Sequence, residues 1–340
     1  MTSTKYHDLL LAAGMAFTAQ IDTIGAQADA EIASLQPQPP ASGFFSGLSY
    51  STQFSRSWTL AQMQAIKAKG FQVIGITDDY WTAGAAQRDP HTTQAYAMAK
   101  LAISVGLRVY IRLWCPGSSL GQQSIAFPSW WVSYCTAWAQ AIDHDFGAAN
   151  AALNFQNEPG QANWHDIFTQ CYNAARAIDK SLVIGYTPKI TALADGHWDW
   201  FPDYQNWAPP ADVWLDFHSY GEGGQGSNFM NQGVASWAPA AKTVPWQASY
   251  AATFQTSWKR FTDLAKTRGQ AGVINGECGA SIVPAPTTQD NINCTTDLWN
   301  VAKGLGMASL FLFNNRPGTD YQTEDGNGNL LPWVKSLVLT

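Results

Sequence analysis

The feature that most restricts this chain is a recurring order of segments. From about Ser42 onward, a short apolar segment is followed by a loop, a helical stretch and a glycine before the next apolar segment. The apolar segments are Phe44–Tyr50, Val73–Thr77, Arg108–Trp114, Ala151–Gln156, Leu182–Tyr186, Val213–Phe217, Gly272–Asn275 and Ala308–Phe313. Alternation of strand and helix implies parallel β-structure, because parallel neighbours need a crossover. Eight such units in about 300 residues is the count for a closed (β/α)8 TIM barrel. An open doubly wound sheet is the rival, but it usually carries a glycine-rich phosphate loop after its first strand. Gly47-Leu48-Ser49-Tyr50-Ser51 does not supply one. Gly70, Gly106, Gly269 and Gly306 fall just after helical stretches, where a left-handed cap suits glycine. Thr59 is placed to cap the helix that runs to Lys69.

The barrel does not account for the N-terminus. Leu10, Ala13, Phe17, Ile21, Ile24, Ala28, Ile32 and Leu35 recur at helical steps. They predict a helical extension over residues 1–35 that could pack on the barrel or pair two copies into a homo-oligomer. Leu9 to Ala19, with Lys5 before it, also resembles a signal peptide. Asp8 fits that poorly, and the stripe continues past any cleavage point. Gln36-Pro37-Gln38-Pro39-Pro40 marks residues 36–42 as a stiff linker, so the barrel takes residues 43–340. No apolar run is long enough to span a bilayer, so no membrane partner is expected.

Charged residues make up 13% of the chain, half the usual share of roughly 25%. The net charge of −6 leaves no basic footprint, which argues against nucleic acid. The 16 Trp, 12 Tyr and 16 Phe either fill the core or stack on sugar rings, whose C–H faces are apolar. Uncharged polymers are gripped that way. Cys115, Cys135, Cys171, Cys278 and Cys294 form no CxxC or Cys/His cluster, so neither a metal nor another cofactor is expected. Cys278 and Cys294 could bridge one loop.

The chemistry concentrates at strand ends. The fourth strand ends Asn154-Phe155-Gln156-Asn157-Glu158-Pro159, and the seventh ends Asn275-Gly276-Glu277-Cys278. Each puts a carboxylate where a barrel strand exits, beside apolar residues that make an unpaired charge costly. Asp216, His218 and Tyr220 share one face of the sixth strand by alternation. Arg112 and Trp114 share a face of the third. Asp78, Asp79, Tyr80 and Trp81 follow the second strand, and Asn314, Asn315 and Arg316 the eighth. Gly221 to Ser257 reads as one elaborated loop whose Trp237 and Trp246 either wall a sugar groove or pack on the loop itself.

Asn157-Glu158-Pro159 resembles the Asn-Glu-Pro motif of clan A glycoside hydrolases, the cellulase-like family 5 group and its relatives. Glu277 falls where that clan keeps its nucleophile, and His218-Ser219-Tyr220 is similar to its His-x-Tyr. The resemblance runs from Ser42 to the C-terminus. It implies Glu158 as acid/base, Glu277 as nucleophile, Asn157 on the sugar 2-hydroxyl, Tyr220 donating to Glu277 and His218 lining the same subsite. Family members commonly carry an Arg near strand two, a His near strand three and a Trp after strand eight. Here those positions hold Asp78-Asp79, Arg112-Leu113-Trp114 and Phe313-Asn314-Asn315, so substrate does not carry over. Arg112 could pair with Glu277, a sugar hydroxyl, Asp78 or Asp79.

The expectation is a retaining hydrolase of β-linked polysaccharide, extracellular or virion-associated, probing its substrate with Glu158 protonated and Glu277 ionised. Retention requires carboxyls about 5 Å apart, and inversion about 8 Å. The alternative is a non-catalytic carbohydrate-binding barrel of a surface or virion tail protein, which suits the N-terminal helix and linker. A metal-dependent hydrolase is weaker, since His144, His165 and His197 fall in helical or loop positions.

Overall fold

The computed structural model describes residues 44–52, 58–79, 89–115, 127–192, 198–222, 246–281, 288–314 and 322–339. The N-terminal helix, the linker, Tyr80, Trp81, His197, Trp237, Asn315 and Arg316 lie outside the described residues, as does the side chain of Tyr220. In chain order the elements are β1 (Phe45–Ser51), α1 (Leu60–Lys69), β2 (Val73–Asp79), α2 (Gln94–Ser104), β3 (Arg108–Trp114), α3 (Trp131–Ala141), β4 (Ala151–Asn154), α4 (Trp164–Ile178) and β5 (Val183–Tyr186). They continue with β6 (Thr191–Ala192), β7 (Trp198–Asp199), α5 (Phe201–Asn206), β8 (Trp214–Glu222), α6 (Ser249–Thr267), β9 (Gly272–Ser281), α7 (Thr288–Gly304), β10 (Ser309–Asn314) and α8 (Pro332–Ser336).

Eight strands close into a parallel barrel in the order β1, β2, β3, β4, β5, β8, β9, β10, with β10 returning to β1. Each of the eight expected segments is one of these strands. The short β6–β7 pair stands apart as an antiparallel two-stranded sheet. Local chemistry sets the boundaries. Thr59 accepts from Gln62 N at 3.3 Å while Gln62 Oε1 accepts from Thr59 N at 2.9 Å, a reciprocal cap at the start of α1. Gly70 (φ 106°) ends that helix in the left-handed region, and Gly106, Gly269 and Gly306 have positive φ likewise.

Two apolar layers hold the fold. Inside the barrel, Val73, Tyr110, Ile274 and Phe311 pack together. The Phe311 ring lies 2.4 Å from where a Cβ of residue 47 would sit, so only glycine fits there. Outside it, strand residues such as Leu48, Ile76, Ile111 and Phe217 meet helix residues such as Met63, Trp138, Phe168 and Phe261. The segment read as one loop from 221 to 257 is partly regular: β8 runs on to Glu222 and α6 begins at Ser249. Its apolar stripe of Phe254, Trp258, Phe261 and Ala265 straddles residue 257, so half of the period falls on each side. The Cys278–Cys294 bridge that the sequence left open does not form. All five cysteines are free and buried, and these two pack as small apolar groups between barrel and helices. Among the described residues no helix is long and apolar enough to cross a membrane.

Strand parity also places the carboxylates that follow the second barrel strand. Val73 faces the interior, so Thr77 and Asp79 do too, and Asp78 faces the helices. There Tyr134 Oη and, at 3.2 Å, Trp138 Nε1 donate to Asp78 Oδ2. Burial pushes its carboxyl up from 3.8 to about 6, against the pull of those two donors. The folded state thus binds this proton more tightly than the unfolded chain, and stability falls as pH rises from about 4 through 6. The shift corresponds to about 3 kcal/mol. Asp78→Asn is expected to remove this dependence: the stability of the native protein relative to the variant drops by about 3 kcal/mol between pH 4 and pH 7 in urea denaturation. A difference that does not move with pH counts against a buried, proton-binding Asp78.

Candidate active site

The barrel mouth is built around one fully buried cation. Arg112 projects inward from β3, two residues beyond the interior Tyr110. Its Nη1 lies 2.8 Å from Glu277 Oε1, and donates to Gly276 O at 3.0 Å. Its Nη2 donates to Ser49 Oγ on β1. Of the partners left open for Arg112, the structure brings Glu277 into contact.

His218 links the two glutamates. Its Nδ1 lies 2.9 Å from Glu158 Oε1 and 3.7 Å from Glu277 Oε2. Its Nε2 lies 3.1 Å from Arg112 Nη1. A guanidinium only donates, so Nε2 accepts and the ring proton sits on Nδ1, aimed at Glu158. Burial opposes a charge on this ring. Glu277, Glu158 and Asp216 outweigh it and raise its pKa. Glu158, His218 and Glu277 each offer an atom within 4.8 Å of the others, the spacing of a cation site. The proton on Nδ1 occupies the lone pair that a metal would need, so this tautomer suits proton handling rather than metal binding.

The glutamates reach this point by irregular backbone. Glu158 has φ 47°, the one positive φ outside glycine among the described residues, at the exit of β4. Such strain persists where the surroundings over-determine it and clusters at functional sites. On β9 a bulge intervenes, since Phe217 faces Asn275 while His218 faces Glu277. Beside Glu158, Asn157 is buried, donates its backbone N–H to Leu113 O at 2.6 Å and leaves Oδ1 without a partner.

The other candidates divide. Trp114 continues the inward parity of β3 and is half-buried at the rim. Tyr220 lies on β8 opposite Gly279. Asp78 is turned to the helices, as described. Trp246 is not brought to the cluster: its indole donates to Asp297 Oδ2 on α7 at 2.7 Å and packs on Tyr250 and Phe254. Asn314 Oδ1 accepts from Thr323 N at 2.9 Å. The sequence reading missed Ser49, Gly276 and Trp200, whose ring centroid lies 5.9 Å from that of His218. Ser49 was open to discovery by parity with Gly47; Trp200 carried no local signal.

This geometry makes Arg112 the counter-charge of Glu277. Arg112→Met is expected to cost about 3–5 kcal/mol in urea denaturation, because it strands a buried carboxylate. Adding Glu277→Gln to that variant should recover part of the loss. A cost below about 1 kcal/mol removes Arg112 from this role.

No family model and no curated protein matches the chain. Solved structures do. The endoglucanase Cel5A from Thermotoga maritima aligns with a TM-score of 0.65 at 13% identity, covering 86% of this chain and 97% of that one. The Pseudomonas stutzeri endoglucanase Cel5A, solved with cellobiose, aligns at 0.62 with 13% identity, covering 86% and 90%. The cellulose synthase subunit Z from Clostridioides difficile aligns at 0.62 with 12% identity, covering 86% and 99%. The chain thus has the eight-stranded barrel fold found in these endoglucanases, at identities that speak for the fold alone.

Proposed function

We propose that this protein is a retaining glycoside hydrolase that cuts a β-linked polysaccharide internally. The observation that carries the reading is the meeting of Glu158 and Glu277 at one barrel mouth. An oxygen of each lies within 4.8 Å of the other. Retaining enzymes hold their carboxyls about 5–5.5 Å apart, and inverting ones about 6.5–9.5 Å.

Glu277 is the nucleophile, with Arg112 as its counter-charge. It attacks the anomeric carbon, and the bond to the leaving oxygen breaks as the ester bond forms. Glu158 protonates that oxygen. Its Oε1 accepts from His218, which leaves Oε2 to carry the transferable proton. Glu158 then takes a proton from water, whose oxygen attacks the anomeric carbon and releases Glu277. Asn157 Oδ1, buried and unpartnered, is suited to accept from the sugar 2-hydroxyl. Trp114 offers a ring at the rim, and Tyr220 remains a donor candidate for Glu277. Thermotoga maritima Cel5A has been solved with cellobiose and with mannotriose, which supports uncharged hexose oligomers as the substrate class. The low charge of this chain and the Trp content agree with that class and with an extracellular or virion-associated setting.

A second reading, a non-catalytic carbohydrate-binding barrel, draws on the match to a cellulose synthase subunit. A pure binder has no use for a strained Glu158 facing a paired Glu277, which favours hydrolysis.

Glu277→Gln is expected to lower polysaccharide hydrolysis by at least ~10³-fold. Glu158→Gln is expected to lose ~10²–10⁴-fold on polysaccharide and far less on aryl glycosides whose leaving group needs no proton. Proton NMR of the first product should show the β anomer. An α first product sinks retention, and glycan binding without any released reducing ends favours the second reading.

A further inference from the structure

The direction of Glu277 depends on one extra residue. Ile274 faces the barrel interior, so simple alternation would turn Asn275 out, residue 276 in and residue 277 out. The register instead shifts at Gly276. Phe217 faces Asn275 and His218 faces Glu277 on one side, while Leu310 faces Asn275 and Leu312 faces Cys278 on the other. The bulge restores Glu277 to the inward face.

Two side chains grip the bulge from inside the barrel. Asp216 Oδ1 accepts from Gly276 N at 2.9 Å, and Arg112 donates to Gly276 O at 3.0 Å. A Cβ on residue 276 would lie 2.3 Å from Asp216 Oδ1, so the carboxylate can come this close only to glycine. Asp216 is itself fixed. Its Oδ2 accepts from Tyr110 Oη at 2.8 Å and from Asn154 Nδ2 at 3.0 Å. Asn154 Nδ2 also donates to Thr187 Oγ1 at 2.7 Å. Asp216, Asn154 and Thr187 are fully buried and Tyr110 nearly so.

We propose that Asp216 is a positioning residue: anchored by Tyr110 and Asn154, it holds the Gly276 bulge and thereby aims Glu277. The proposal rests on the reading of Glu277 as nucleophile. Asp216 does not touch the reacting atoms; it acts through the backbone. No neutral replacement serves equally, because Gly276 N–H and Asn154 Nδ2 can only donate. An amide at 216 must turn its own NH₂ toward one of them.

Asp216→Asn is expected to lower kcat by about 100-fold, the usual effect of a misplacement near 1 Å. KM should stay within about three-fold, since the sugar contacts remain. A crystal structure of the variant should show Glu277 Oε1 withdrawn from Arg112, a readout independent of activity. Gly276→Ala attacks the same contact from the other side and keeps the buried carboxylate, so it should show the same kcat-selective loss if Asp216→Asn fails to fold. The decisive background is Glu277→Gly rescued by azide. There Asp216→Asn should change the rescued rate by less than about two-fold, because nothing is left to aim. An equal loss in that background, a kcat within two-fold of native, or an unmoved Glu277 overturns the proposal. If azide forms no α-glycosyl azide, the product of a single displacement in place of Glu277, the nucleophile reading itself fails and the proposal falls with it. If rescue succeeds but Asp216→Asn leaves the kcat of the otherwise native enzyme within two-fold, only the proposal falls.

Discussion

A guanidinium keeps its proton under all ordinary conditions, and here one is enclosed at the axis of a barrel. Arg112 touches β1 through Ser49, β8 through His218, and β9 through both Gly276 and Glu277. Its enclosure obliges the fold to supply acceptors on three other strands, since a buried unpaired cation costs several kcal/mol. Glu277 answers that demand and gains a partner for its own charge. His218 answers it with Nε2, which fixes the tautomer and sends the remaining ring proton toward Glu158. The orientation of both glutamates thus descends from the inward parity of a single strand, with Tyr110 low, Arg112 midway and Trp114 at the rim.

What was legible in the chain follows from how local each signal is. Strands, capping residues and glycine turns are local, and all eight barrel strands lie where the apolar segments predict them. Glu158, Glu277 and His218 were legible because strand ends in a barrel converge on one rim. Asp78 was not, because the strand was read to end at Thr77; two more residues assign its side chain to the helix layer. The contacts that Trp246 and Asn314 make were not legible for a related reason. Their partners, Asp297 and Thr323, lie in segments whose approach no local pattern announces. The bulge at Gly276 was hidden too, since a dipeptide of glycine and glutamate at a strand end looks the same with or without a register shift.

Charge accounting ties the polar layer beneath the mouth to the chemistry proposed above it. Both oxygens of Asp216 face groups that donate, which describes a carboxylate, even though burial moves its pKa up. For the proposed reaction the carboxylate that matters most is Glu277, held beside Arg112 and His218, because positive charge develops at the anomeric carbon in the oxocarbenium-like transition state. Arg112 itself is buried below the rim, and its contacts with Gly276 and Glu277 hold it there.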